Sequence, residues 1–392
     1  MVTLKVAFWI CLFLVFYTYL GYGILLWILV RLKRFVKGKP QKPILPSKED
    51  LPEVTLMICA YNEQDIVDIK MENTRQITYP KLHVVWVTDG SNDATNDYLA
   101  KYPDVQVIFS PERRGKTAAL NHGLSEIKDE LVVMTDANTM LNPTSILEIV
   151  RCFMDPQVAC VAGEKRVAAR HEGQAAAEGE SLYWKYESTL KRWDGELYSA
   201  MGAAGELCAI RRSLYEPMPE NALLDDFVMS LRMVDKGYKI AYTSEAYAME
   251  YGSADLAEES KRKRRIAAGG LQSIWWLRDM MNPFHHPLVA FQFISHRVLR
   301  WSITPIALFL LIPLNVALVF MKAGDIYNWT WILQILFYAT AFLGYYLEKK
   351  GKKSRLLYVP YYFLFMNLNV FRGMAYLSHH KNTGAWEKAK RG

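Results

Sequence analysis

The sequence predicts an α/β fold: a Rossmann-like, mostly parallel sheet in the centre of the chain, with transmembrane and interfacial helices at both ends. Three observations carry that reading. Residues 54–60 (VTLMICA), 83–88 (HVVWVT) and 131–135 (LVVMT) are short, β-rich apolar runs of the kind buried parallel strands show. Each passes at once into polar, mostly acidic residues: Tyr61-Asn62-Glu63, Asp89-Gly90-Ser91-Asn92-Asp93 and Asp136-Ala137-Asn138. Finally, of 392 residues 51% are apolar and 13% aromatic, and the excess is concentrated at the two ends, the distribution of a membrane protein with a globular middle.

Taken in order, residues 6–30 carry no charge and exceed the roughly 20 residues that a bilayer span requires. No small-residue cleavage site follows, so the segment (1–31) reads as an anchor and not a signal peptide. Arg31, Lys33, Arg34 and Lys37 outnumber Lys5 before it, which directs the bulk of the chain to the cytoplasm. After a Pro- and Lys-rich linker, strand and helix alternate over 52–268. Helices are expected at about 64–76, 93–101 and 116–128, and a further strand at 105–109, an order that builds a parallel sheet. Arg113-Arg114-Gly115-Lys116 opens one of these helices, where Gly permits close backbone approach and Lys can meet phosphate. Leu224-Asp225-Asp226-Phe227 opens another that ends at Gly237; acidic residues there also complement the helix dipole. Residues 269–301, with Trp275-Trp276, Arg297 and Arg300, read as amphipathic helices at the membrane interface. Within 302–378, spans are expected at 302–321 and 329–347. The segment 356–377 holds Asn367, Asn369 and Arg372, leaving a fourth span and an interfacial or re-entrant course both open. A cytoplasmic tail, 379–392, completes the chain.

The formal charge of +7 is modest. Its clusters, at 31–42, 261–265 and 349–355, adjoin apolar segments and read as flanks facing anionic lipid; a nucleic-acid surface would need a basic face on the globular part. Five cysteines, with no CxxC pair, fit a reducing compartment. Asn, Asp and Gly are also ordinary turn residues. Three such turns at the carboxyl edge of one sheet, where open α/β sheets bind ligands, point instead to a nucleotide and metal site.

In order and spacing, Ala60-Tyr61-Asn62-Glu63, Asp89-Gly90-Ser91, Gly115-Lys116 with Asn121, Asp136-Ala137-Asn138, Asp225-Asp226 and the Arg265 region resemble the membrane-bound family-two glycosyltransferases, the group that includes cellulose, hyaluronan and poly-N-acetylglucosamine synthases. The terminal Thr383-Gly384-Ala385-Trp386-Glu387-Lys388 is similar to a tail common in that group. The resemblance implies a GT-A fold, a nucleotide-sugar donor of UDP type, a divalent metal (Mg²⁺ or Mn²⁺) and inversion at the anomeric centre. It places Ala60, Tyr61, Asn62, Glu63, Asp89 and Gly90 at the nucleoside, Lys116 near the nucleotide, and Asp136 at nucleotide and metal. Asn138 stands where the family has a second metal aspartate; its amide oxygen can still ligate the ion. Asp226 matches the general base, and Asp225 stands where Glu is commoner. Arg265 matches the arginine of the QxxRW element, with Arg262 in place of the Gln and Ile266 in place of the Trp, a departure at the acceptor end that counts against polymerisation. Residues 202–207 match a loop near the acceptor, with Arg211-Arg212 behind it. The implied partners are a nucleotide sugar, a glycan or lipid-linked acceptor and membrane lipids, and no nucleic acid; the implied place is the plasma or inner membrane. A processive synthase, an inactive membrane scaffold or glycan-binding protein, and a nucleotidyltransferase remain alternatives.

Overall fold

The computed structural model describes residues 1–168, 175–251, 256–350 and 354–379. The terminal motif at 383–388 lies outside them. The central sheet has eight strands: β1 (Val54–Ala60), β2 (Leu82–Asp89), β3 (Gln106–Ser110), β4 (Leu131–Asp136), β5 (Met140–Leu141), β6 (Val158–Ala168), β7 (Cys208–Arg211) and β8 (Lys239–Tyr251). Their order is β3-β2-β1-β4-β7-β6-β8-β5. β1 is parallel to β2 and β4, and β2 to β3, as the strand-helix alternation requires. β4 is not parallel on both sides, however, because β7 runs antiparallel between it and β6.

Alternate strand residues feed two apolar layers. Met57, Val85, Val87, Val132 and Met134 pack on one face under the helices Lys116–Glu126 and Asp225–Asp235. Leu56, Ile58, Trp86 and Val133 pack on the other, under Val67–Arg75 and Ser145–Phe153. The first layer also receives Leu277, Met280, Val289, Phe293 and Val298. The expected interfacial segment 269–301 is therefore largely a lid on the sheet, and its first part continues one helix, Leu256–Trp276. Trp275, 68% exposed, keeps the surface character expected of it.

Among the described residues, three helices are long and apolar enough to cross a membrane: Val2–Lys37, Ile303–Phe320 and Asp325–Lys349. The first contains a π-helical turn, Tyr17–Gly21. It packs on the second through Phe8, Cys11, Leu311 and Leu318. Thr18 and Thr304 share a buried hydrogen bond of 2.8 Å. The helix Arg355–His379 is not among the three. Its polar residues face protein: Asn367 accepts from the Tyr19 hydroxyl at 2.6 Å, and Arg372 donates to Ser260 at 3.0 Å.

Candidate active site

Strand register decides what meets at the sheet edge. Ala60 pairs with Thr88, and Cys59 with Asp136, so the ends of β1, β2 and β4 lie level. The polar residues that follow them share one rim, as the sequence indicated.

Beyond β1 and β2 the rim residues mostly bind one another. Asn62, at φ 53°, donates its backbone N–H to Ser91 and exchanges side-chain hydrogen bonds with Asn92. The Glu63 N–H donates to Thr95 at 2.8 Å. Asp89 is buried, and its two carboxylate oxygens accept the N–H groups of Arg114 (2.9 Å) and Gly115 (2.7 Å). It thus fixes the turn that aims Lys116. Gly90 makes this possible: at φ 66°, a Cβ there would lie 2.4 Å from the Arg113 nitrogen. The Arg113 guanidinium lies 4.0 Å from the centre of the Tyr61 ring.

Lys116 opens the helix Lys116–Glu126, and its ammonium reaches the Asp136 carboxylate at 2.7 Å. The turn after Asp136 is held from below. Lys70, wholly buried, donates to the Thr139 carbonyl at 2.5 Å, and Asn73 binds both the N–H and the carbonyl of Leu141. Burial brings the Lys70 ammonium down to about 7.

One cavity of about 860 Å³ brings together Lys116, Asp136, Asp225, Asp226 and Arg265, and with them Gly205 and Glu206 of the 202–207 loop. Tyr61, Asn62, Glu63, Asp89 and Asn138 are not among its lining residues. The cavity extends between the apolar helices, where Phe16, Leu308 and Phe337 also line it, with Phe363 from the helix Arg355–His379. Burial, and then the neighbouring Asp225 charge, raise Asp226 to about 7, against the pull of Lys116. Partial desolvation opposes the charge on Lys116, whose side chain stays 40% exposed, and Asp136, Asp225 and Asp226 overcome it, holding its value above the ordinary one. Asp225 is buried with Oδ2 lacking a hydrogen-bond partner, and Arg265 has a buried Nε in the same state. Oxygen donors of this kind, Asp136 and Asp225 above all, suit a hard divalent cation.

The basic run at 261–265 is in part turned inward, with Lys261 alone of the five exposed. Arg262 and Lys263 are buried; Arg262 lies 3.4 Å from Glu206, and Lys263 lies 3.3 Å from Glu259. Lys165 pairs with Glu206 at 2.5 Å and with Glu250. Burial favours the neutral acid at Glu206, but Lys165 and Arg262 outweigh it and depress the carboxyl far below its usual range. Arg297 and Arg300, expected at the interface, turn inward to Glu187 at 2.7 and 2.9 Å. Arg297 also donates to the Met201 carbonyl at 2.8 Å, at the base of the 202–207 loop. Arg211 is a staple, donating to the carbonyls of Val158 and Phe153.

Sequence reasoning missed Glu187 and Lys191, which line the cavity from the helix Ala175–Leu197. A signal was present in the spacing: Glu187, Lys191 and Asp194 recur four and three residues apart, one face of a helix, and the structure buries all three.

Fold and site together define an α/β protein with a carboxylate and lysine centre at its sheet edge and helices long and apolar enough to cross a membrane. Residues 52–269 match the family described as Glycosyltransferase like family 2, and the chain belongs to that family. A poly-beta-1,6-N-acetyl-D-glucosamine synthase of Staphylococcus aureus is 24% identical over 242 residues, covering 60% of this chain and 58% of that protein. The probable glycosyltransferase YdaM of Bacillus subtilis is 27% identical over 219 residues, 52% of each. This chain thus spans a little over half the length of these curated relatives. Among solved structures, the mannosyltransferase PcManGT of Pyrobaculum calidifontis, in complex with GDP-Man and Mn2+, superimposes with a TM-score of 0.70 at 21% identity. The match covers 96% of this chain and 99% of that one. The expected GT-A fold is thereby met.

Proposed function

We propose that this protein is an inverting, metal-dependent glycosyltransferase. It moves a sugar from a nucleotide sugar to a hydroxyl of a lipid-linked or glycan acceptor at the membrane, in surface polysaccharide or glycolipid synthesis. The observation that carries the reading is the single cavity in which Asp226, Asp136, Lys116 and Arg265 stand next to apolar side chains of the membrane-segment helices.

A diphosphate leaving group needs no proton if cations absorb its charge, so one carboxylate suffices for the chemistry. Asp226, poised near neutrality, takes the proton of the acceptor hydroxyl. The oxygen then attacks the anomeric carbon as the bond to the diphosphate breaks, and the nucleoside diphosphate leaves with both bonding electrons. Lys116 and Arg265 face the departing phosphates. A divalent metal held by Asp136 and Asp225 would supply further charge neutralisation at the diphosphate, whereas Asn138, expected as a ligand beside Asp136, is not among the residues that line the cavity. Asp89 acts through the backbone of Arg114 and Gly115 and is a positioning residue.

The synthase relatives favour a second version, a processive enzyme that threads its product through the membrane helices. Ile266, which lines the cavity where the family carries tryptophan, and the apolar character of the membrane side favour single addition to a lipid-linked acceptor. The catalytic domain then lies on the cytoplasmic side, where nucleotide sugars are available.

Purified protein supplied with a panel of UDP- and GDP-sugars, with and without membrane lipid extract, tests the reading. Nucleoside diphosphate release that depends on divalent metal and rises with lipid extract is expected. Pyrophosphate release would make the protein a nucleotidyltransferase; no turnover with any donor would leave the scaffold. With one donor supplied, product length separates single addition from polymerisation.

A further inference from the structure

A second cleft, of about 320 Å³, opens where the amino-terminal helix leaves its apolar stretch. Its lining is Trp27, Val30, Arg31, Arg34, Arg192 and Trp193. Trp27, Arg31 and Arg34 are spaced four and three residues apart and so share one helix face. Arg192 and Trp193 come from the helix Ala175–Leu197, which is docked there by two contacts. Arg34 grips Glu196 with both Nε and Nη2, at 2.5 and 2.6 Å. Lys33 donates to the carbonyls of Glu196 and Leu197, closing the carboxyl end of that helix.

The charge of this cleft is lopsided. Three guanidinium groups line it, and no carboxylate does. Glu196 neutralises Arg34, whereas among the described residues no ion pair engages Arg31 or Arg192. The Arg31 guanidinium lies 5.2 Å from the Trp27 ring centre, within cation–π reach. Tryptophans at the end of an apolar helix mark the level of lipid headgroups, and planar guanidinium groups suit phosphate oxygens.

We propose that this cleft binds the headgroup of an anionic phospholipid, with its phosphate between Arg31 and Arg192 and its glycerol level between Trp27 and Trp193. Net negative charge matters, because a choline headgroup would bring a second cation against the arginines. The proposal rests on reading Val2–Lys37 as a membrane helix, not on the transfer chemistry. The same helix that presents Arg192 and Trp193 carries Glu187 and Lys191 on the catalytic cavity. Its Asp194 is hydrogen-bonded by Tyr22 of the amino-terminal helix and contacts His296 at 2.5 Å. A bound headgroup therefore clamps the membrane anchor to a wall of the catalytic cavity.

The full chain, purified in detergent and examined by native mass spectrometry with equimolar POPG and POPC, tests this. Wild-type protein is expected to retain POPG in preference, and Arg31→Ala/Arg192→Ala to lose about 10- to 30-fold of that retention. Arg31→Gln/Arg192→Gln, which keeps side-chain bulk, should do the same, while Lys349→Ala should not. Equal retention of the two lipids by wild type, or undiminished POPG retention by both double variants, overturns the proposal. Displacement of POPG by glycerol 3-phosphate would assign the cleft to soluble phosphate esters instead. Carbonate-resistant incorporation into POPC vesicles tests the membrane-helix reading separately.

Discussion

The Lys116 ammonium stands 2.7 Å from the Asp136 carboxylate, joining a helix start to a strand end across the sheet edge. Both groups are part-exposed, 40% and 30%, so the pair contributes little to stability and is available to exchange partners. When a donor diphosphate arrives, Lys116 can turn from carboxylate to phosphate. Lys116→Ala is expected to lower kcat/KM about 10- to 100-fold, the worth of a hydrogen bond to a charged group, with thermal stability nearly unchanged. Steady-state kinetics with the best donor of the panel, beside a melting curve, checks it.

Asp226→Asn should abolish transfer and spare nucleotide binding. The amide keeps the shape of the carboxylate and its acceptor oxygen for the Phe227 N–H, 2.8 Å away in the native chain. It cannot take a proton. A fall in kcat of about 10²- to 10⁴-fold, with nucleoside diphosphate affinity within a few-fold of wild type, is expected. Retained turnover would remove Asp226 from the role of base.

The pH profile follows from the same residue. With Asp226 raised to about 7, the free enzyme should gain kcat/KM as pH rises through that value and level off above it. In the metal-free chain the Asp225 charge contributes to the rise, so Asp225→Asn should move the Asp226 titration there to lower pH. For stability the sign is opposite. Between 3.8 and about 7 the folded chain holds a proton that the unfolded chain releases, so stability declines as pH climbs across that window. Stability profiles of the metal-free wild type and Asp225→Asn test the position, and the rate profile of the wild type tests the direction.

Strands β1, β2 and β4 were legible because their apolar runs end abruptly in turn residues, and this same feature exposed Asp89 and Asp136. Less legible was what each polar residue would bind. Asp89 reads as a ligand-binding acid, yet its oxygens are taken by two backbone N–H groups. Asn138 stands where the resemblance implies a metal ligand, yet it is not among the residues lining the cavity that Asp136 lines. The basic residues misled most. Arg262, Arg297 and Arg300 lie beside apolar sequence, the usual sign of a membrane flank, but Glu206 and Glu187, distant in the chain, draw them inside. Ion partners 56 or more residues away leave no local pattern.

Glu187 should be among the costliest side chains to neutralise. Burial alone would favour its protonated form, but Arg297 and His296 reverse this and depress its value well below the ordinary carboxylate range. Glu187→Gln removes a buried negative charge that both Arg297 and Arg300 contact, at a cost of about 3–5 kcal/mol. A large drop in melting temperature in detergent is expected. Activity should fall with it, because Arg297 also supports the Met201 carbonyl under the 202–207 loop.

Gly205 separates a local effect on chemistry from a general effect on folding. A Cβ at this position would lie 2.9 Å from the Lys116 ammonium and 3.3 Å from the Asp226 carboxylate. The nearest atom is the end of a flexible side chain, so Gly205→Ala is accommodated by moving Lys116, at a stability cost within about 1 kcal/mol. That movement draws the ammonium away from Asp136 and from the phosphates it would meet. Displacements of about 1 Å in a reacting assembly cost on the order of 10²-fold in rate. Gly205→Ala is therefore expected to melt like wild type and to lose about 10- to 100-fold in kcat/KM, matching Lys116→Ala. In the Gly205→Ala/Lys116→Ala double variant the glycine substitution should add almost nothing, because the group it displaces is already gone. Full additivity in that cycle would show that the methyl acts through Asp226 and not through Lys116.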